Sequence, residues 1–137
     1  MNSPQWQGKG ADDECRVLIV EDDADSARTL AWISERDGHA VQVARNGTEA
    51  LMVAATFKPQ IALVDLGLPG LDGFHVVREL RNADSDLLII VATARSSPDD
   101  LRRSREAGCD HHFVKPIDFM ELSNILAKWK AAGGCAA

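Results

Sequence analysis

The chain is short of cysteine, of aromatic side chains, of positive charge and of long apolar runs, and each shortage removes a class of protein. Its three cysteines, Cys15, Cys109 and Cys135, are odd in number, widely spaced and not arranged as Cys-x-x-Cys. That pattern suits a reducing compartment better than a zinc site or a disulfide framework, so the expected location is cytoplasmic. No stretch approaches the roughly 18 consecutive apolar residues of a membrane span, and no signal-peptide pattern is visible, which argues against membrane insertion and secretion. Fifteen Lys and Arg against 21 Asp and Glu leave a formal charge of −6, without the basic face that broad nucleic-acid binding needs. Local clusters of acid could instead attract a divalent cation.

What is present is a 137-residue chain of ordinary globular composition, long enough for one domain with a core that needs no metal or disulfide. Residues 1–14 are polar, Gly-rich and without period, and are expected to form a disordered leader. The domain is expected over 15–131, followed by a small-residue, flexible tail over 132–137. Within the domain, apolar runs and helical periods alternate. Arg16-Val17-Leu18-Ile19-Val20, Ile61-Ala62-Leu63-Val64 and the run from Asp86 to Ala92 are continuous enough for parallel strands covered on both faces, where alternation is lost. His39 to Ala44 alternates as a strand, and His111-His112-Phe113-Val114 is a short, less apolar fifth.

Helices fill the gaps. Ala27, Leu30, Ala31, Ile33 and Ser34 recur at helical spacing up to Gly38. Asn46-Gly47-Thr48-Glu49 and Ser97-Pro98-Asp99-Asp100 are helix starts, and Asp118 with Glu121 opens a last helix by an Asp-type capping box. A third helix begins at Gly73, with Val76, Val77 and Leu80 inward. Trp32 and Trp129 are expected as core or packing residues. Five strand–helix units without a composition break imply an α/β fold, a five-stranded parallel sheet with helices on both faces.

Chemistry collects where those strands stop. Glu21-Asp22-Asp23, Asp65, Thr93 and Lys115 each follow an apolar strand, and parallel strands bring such ends to one edge, the usual ligand crevice of open α/β sheets. Taken singly, an acid after a strand is a turn residue or helix cap. Taken together, the carboxylates would repel one another unless a cation joined them, and hard oxygen ligands favour magnesium or calcium. With a hydroxyl and a fixed ammonium beside them, such a site could support phosphoryl transfer, with Asp65 the carboxylate best placed as nucleophile.

These residues carry a resemblance. VLIVEDD at 17–23, LVDLGLPGLDG at 63–73, VATAR at 91–95 and FVKP at 113–116 stand in the order and spacing of response-regulator receiver domains, the phosphoacceptor modules of two-component signalling. The resemblance covers residues 16 to about 130 and implies a doubly wound (βα)5 receiver fold of the flavodoxin type, similar to the chemotaxis response regulator. It makes Asp65 the phosphoacceptor and Thr93 and Lys115 the partners of the phosphoryl oxygens. Magnesium is implied as the cofactor, held by Glu21, Asp22, Asp65 and the main-chain carbonyl of Gly67, with Asp22 the more direct of the acidic pair. Asp23 falls one place further and is expected to cap the next helix. A cis Lys115–Pro116 bond is implied as well.

The implied partners are a histidine kinase or histidine phosphotransfer protein as donor and an unknown output protein, without direct nucleic-acid or membrane contact. The chain would act as a monomer or a phosphorylation-dependent dimer. It would be a self-dephosphorylating switch and not an enzyme with an external substrate. One position departs from the family: where receivers carry Tyr or Phe as a switch, this chain has His112, which could rotate likewise or be a half-exposed strand residue. Arg102, Arg103 and Arg105 fall on the fourth helix, part of the helix 4–strand 5–helix 5 surface that receivers use for output. They read either as a contact for an acidic partner or as a solvated charged face.

Two enzyme-like or cofactor-binding alternatives fit less well. An aspartyl phosphatase would carry an acid at position 67, where glycine stands, and a flavodoxin-like cofactor site would not place acids after strand one. A degenerate receiver that acts only as a phosphorylation-independent interaction module is opposed by the complete acid, hydroxyl and lysine set. No DNA-binding helix pair is visible after residue 130, and the chain is expected to be either a stand-alone receiver or part of a longer regulator or hybrid kinase.

Overall fold

Aliphatic runs that cannot be solvated on either side become the strands of one buried sheet. The computed structural model describes residues 14–135 except 69, 71, 95 and 96, so the expected leader up to residue 13, and Arg95, fall outside the described residues. In chain order the elements are β1 (Arg16–Val20), α1 (Ala24–Arg36), β2 (Ala40–Ala44), α2 (Gly47–Phe57), β3 (Ile61–Val64), α3 (Gly73–Ala83), β4 (Leu88–Thr93), α4 (Pro98–Ala107), β5 (His111–Val114) and α5 (Phe119–Ala131). The strands are all parallel and lie in the order β2-β1-β3-β4-β5, with β3 central. The register pairs Val20 with Val64 and Val64 with Val91, so the carboxyl ends of β1 and β3 are level and that of β4 lies just beyond them.

Alternate residues of each strand feed two cores. Leu18, Val20, Ala62, Val64, Ile89 and Val91 face α2, α3 and α4, where Val76, Val77, Leu80 and Ala107 complete one cluster. Val17, Ile19, Ile61, Leu63, Leu88 and Ile90 face α1 and α5, where Leu30, Leu122 and Leu126 complete the other. Each such side chain contributes about 1.5–3 kcal/mol relative to exposure, which is why two-faced burial dominates the strand composition. Asp23, Asn46, Asp72, Ser97 and Asp118 cap the five helices by accepting from backbone N–H groups of the first turn.

Four expectations need correction. Asp86 and Leu87 form a turn before β4, held where the Arg81 guanidinium donates to Leu87 O at 2.7 Å and Ser85 O at 2.9 Å. Trp32 is 60 % exposed, its ring under the Arg36 guanidinium at 5.3 Å, because it points away from the stripe of Ala27, Leu30 and Ile33. The tail is not loose as far as Cys135: turns after α5 carry that residue back to the sheet, where it is buried. There it is disulfide-bonded to Cys15, 120 residues away, with Cα atoms 4.9 Å apart. The odd count therefore hides one bridge, and Cys109 is the free thiol. Trp129 does pack against the second core, as expected.

His39, at the turn into β2, is 6 % exposed, and its Nδ1 accepts the Cys15 N–H at 3.3 Å. Burial, seconded by Lys130, pushes its pKa below the ordinary 6.5. The folded protein therefore binds fewer protons here than the unfolded chain, so this stability is present above pH 6.5 and lost as pH falls through the depressed value. Urea midpoints should fall between about pH 7.5 and 5.5, and His39→Asn, which keeps an acceptor but cannot ionise, should flatten that slope. Parallel slopes for the two proteins would show that His39 does not carry it.

Candidate functional site

The site is assembled by backbone bonds that prolong the sheet past its last strand residues. Glu21 N–H donates to Ala44 O at 3.0 Å, Asp65 N–H to Val20 O at 3.0 Å, and Lys115 N–H to Thr93 O at 2.9 Å. Each chain is thus still in sheet register when it delivers its functional side chain. Glu21, 2 % exposed, is held from two sides: the Asp23 N–H donates to Oε2 at 3.2 Å and Lys115 Nζ to Oε1 at 2.7 Å. The same ammonium reaches Asp65 Oδ2 at 3.1 Å, while the Gly67 N–H donates to Asp65 Oδ1 at 2.9 Å. Asp65 has only 11 % of its side chain exposed. Asp22 points outward, its carbonyl accepting from Arg45 at 3.2 Å.

Glu21, Asp22 and Asp65 bring carboxylate oxygens within 4.8 Å of one another. The cluster is under electrostatic tension. Burial, with the nearby Asp65 charge, raises the Glu21 pKa against the opposing pull of Lys115. Burial works against the Lys115 ammonium too, but its bonds to Glu21 and Asp65 outweigh that and hold its pKa above the ordinary 10.5. One ammonium does not neutralise three carboxylates. This all-oxygen donor set, open on the Asp22 side, fits a hard divalent cation such as magnesium.

The remaining expected residues are placed as follows. Thr93, 1 % exposed, ends β4 beside the strand that carries Asp65. Gly67 meets Asp65 through its amide. Asp23 caps α1, its Oδ2 accepting from Ser26 N–H at 2.9 Å, as expected. The Lys115–Pro116 bond is cis. His112 does not join the acids; it sits half-buried at the seam of β5 and α4, its Nδ1 2.8 Å from the Oγ of Ser104. Ser104, fully buried, bonds Leu101 O at 3.0 Å through the same oxygen. On α4, Arg102 pairs with Asp99 and Glu106 of its own helix. Arg103 lies over the Phe74 ring at 4.1 Å and 3.8 Å from Asp72. For these two, the solvated-face reading is the one the contacts support.

Sequence reasoning missed two supports. Leu66 and Leu68, only 2 % and 8 % exposed, plug the loop after Asp65 into the first core. Their alternation with Asp65 and Gly67 was the available signal. An apolar groove lined by Leu30, Pro116, Ile117 and Phe119 also runs up to Glu21 and Lys115. It joins α1 to the loop after β5, a proximity no local pattern announces.

A parallel (βα)5 sheet with a lysine-bridged aspartate at its carboxyl edge defines a narrow class of α/β domain. The chain belongs to the response regulator receiver domain family, whose model matches residues 17–127. It is 40 % identical over 116 residues to the uncharacterized transcriptional regulatory protein YkoG of Bacillus subtilis, covering 85 % of this chain and 50 % of that protein. It is 41 % identical over 107 residues to the transcriptional regulatory protein PrrA of Mycobacterium tuberculosis, covering 78 % and 46 %. The chain thus spans about half the length of the curated relatives it matches. A CheY-like receiver domain protein of Methanospirillum hungatei has the same fold, with TM-score 0.82 at 24 % identity over 87 % of this chain and 95 % of that one. The receiver domain of a signal transduction histidine kinase from Syntrophus aciditrophicus superposes with TM-score 0.77 at 29 % identity, over 86 % and 91 %.

Gly73 fixes how the loop after Asp65 meets α3. A Cβ there would lie 2.9 Å from Leu66 O and 3.0 Å from Asp65 O, backbone atoms that cannot swing aside. Gly73→Ala should therefore cost on the order of 1–3 kcal/mol in urea unfolding. An unchanged midpoint would show that the loop yields freely.

Proposed function

We propose that this receiver is a phosphorylation switch, taking a phosphoryl group on Asp65 from the phosphohistidine of a histidine kinase or histidine phosphotransfer protein. The observation that carries it is the Lys115 ammonium bonded at once to Glu21 and Asp65. It presets a positive charge beside the one carboxylate that is central in the sheet. An Asp65 oxygen attacks phosphorus in line; the new O–P bond forms as the donor's N–P bond breaks, and the departing imidazole nitrogen takes its proton from water. A magnesium ion, when bound, would neutralise phosphoryl oxygens, with Glu21, Asp22, Asp65 and the Gly67 carbonyl to hold it.

Lys115 keeps its charge through the transfer, and we assign to the Thr93 hydroxyl a hydrogen bond to the same oxygens. The acyl phosphate carries roughly −1.5 to −2 charges where the carboxylate carried one. Thr93 ends β4, so a shift there passes to α4, β5 and α5, the surface we assign to output. Water attack on the same phosphorus would reset the switch, with no external substrate turned over. The reading places the protein in the cytoplasm, as a monomer or a phosphorylation-dependent dimer without direct nucleic-acid contact. Among the described residues no helix is long and apolar enough to cross a membrane. The output partner stays unassigned.

The groove beside Lys115 suits the donor, since it puts apolar walls within reach of the attacking carboxylate. Incubation with a small acyl-phosphate donor should label the protein only when magnesium is present, and Asp65→Asn should reduce labelling to background. Absence of labelling in the unmutated protein would turn the assignment toward a phosphorylation-independent interaction module. Phe119, 42 % exposed at the groove, gives a separate check. Phe119→Asp should slow transfer from a protein donor about tenfold or more, as loss of an aromatic anchor does, and leave labelling by the small donor unchanged. Equal slowing with both donors would place the defect in the site and not in docking.

A further inference from the structure

We propose that Cys15 and Cys135 form a redox-controlled clasp that decides whether the end of α5 is locked to the sheet. Cys15, 0 % exposed, precedes β1, and Cys135, 5 % exposed, lies four residues beyond Ala131, where α5 ends. Their Cα separation of 4.9 Å is one that a disulfide spans. The segment between α5 and Cys135 is shaped to deliver the thiol. Ala132, Gly133 and Gly134 N–H groups donate to Lys128 O, Lys130 O and Trp129 O at 3.0, 3.0 and 2.9 Å. Gly133 has φ +89°, and Gly134 lies so close to the Trp129 indole that any side chain would collide with the ring. The approach is thus made by backbone and glycine, and the sulfur arrives beside Cys15 already aimed.

Closure has a cost that makes it reversible. With the segment folded over it, Trp129 Nε1 is buried without a hydrogen-bond partner among the described residues. Opening the segment would let that N–H reach water, so the non-covalent contacts alone hold the clasp weakly and the S–S bond tips the balance. The residues between Ala131 and Gly133 are exposed, which gives a small thiol or a thioredoxin-type dithiol a way in once the segment opens. In reduction, a thiolate attacks one sulfur and the S–S bond breaks; a second reductant thiol then releases the mixed disulfide. The reductant pair is left oxidised, and two protons end on Cys15 and Cys135. Cys109 takes no part: it is the free cysteine, and burial pushes its thiol above the ordinary value. The clasp shares no residue with the Asp65 site: it sits at the opposite edge of the sheet, before β1 begins.

The test uses the full chain, equilibrated without denaturant in glutathione buffers of increasing disulfide content, then unfolded and alkylated for intact mass. The expected result is three alkylated cysteines under reducing conditions and one, Cys109, under oxidising conditions, with a Cys15–Cys135 crosslinked peptide. Amide exchange over Lys128–Ala131 should be on the order of tenfold faster in the reduced form. Trp129 emission, read in a Trp6→Phe/Trp32→Phe background, should shift to the red. Cys135→Ala, close to the chain end and mild to the core, should match the reduced form in both buffers. Three alkylated thiols at every potential would overturn the proposal, as would a bridge that forms without changing exchange or emission at the end of α5.

Discussion

The Lys115 ammonium, shared by Glu21 and Asp65, is the interaction on which the rest of the molecule depends. It requires the residues that follow β1, β3 and β5 to meet at one point, which the parallel β2-β1-β3-β4-β5 sheet permits. Two buried carboxylates so close would be intolerable alone; the lysine makes them tolerable without neutralising the set. The raised Glu21 pKa records what remains of that conflict. A fold selected only for stability would replace these acids, so the strain fits the cation site proposed for them. The helices, the plugs at Leu66 and Leu68, and the close approach at Gly73 keep the carboxylates from relaxing away.

Much of this was legible in the sequence because it depends on local patterns. A buried parallel strand needs an unbroken apolar run, and β1 and β3 have one. A helix N-terminus needs a short acceptor, and Asp23, Asn46, Ser97 and Asp118 all serve. The strand-end acids, hydroxyl and lysine follow from knowing that parallel strands share an edge. What stayed hidden depends on pairs far apart in the chain. Cys15 and Cys135 carry no spacing motif, since the bridge joins the lead-in to the first strand with the segment beyond the last helix. The Glu21–Lys115 bond and the groove beside it likewise join the two ends of the fold. Trp32 is different: it lies two positions from Leu30, on the far side of the helix, so the period that placed Leu30 inward already pointed it out.

His112 shows a third kind of limit. Its family position suggests a mobile ring and its strand a half-exposed residue, and the structure shows it half-buried on β5. What neither predicts is the Ser104 hydroxyl from α4 at 2.8 Å. Ser104 takes a buried place on the inner stripe of α4, three residues before Ala107, so its polarity at a core position was the available sign. The contact ties β5 to α4 across the face assigned to output. Any rearrangement of that face has to break or carry this bond.

The helix α5 is where the two edges of the sheet communicate. At its start, Lys115 and the cis proline lead directly from the acid cluster into the Asp118 cap, so the ammonium's position and the helix's entry are coupled through three residues. At its end, Trp129, Gly134 and Cys135 return the chain to the lead-in of β1. Between them Leu122 and Leu126 lie in the same core cluster as Val17 and Ile19. A helix fixed at both ends and along its inner face can only shift as a body. One freed at its far end can pivot about the cap at Asp118. The acid cluster at the carboxyl edge and the disulfide at the opposite edge therefore bear on the two ends of one helix, the first at its entry and the second at its exit.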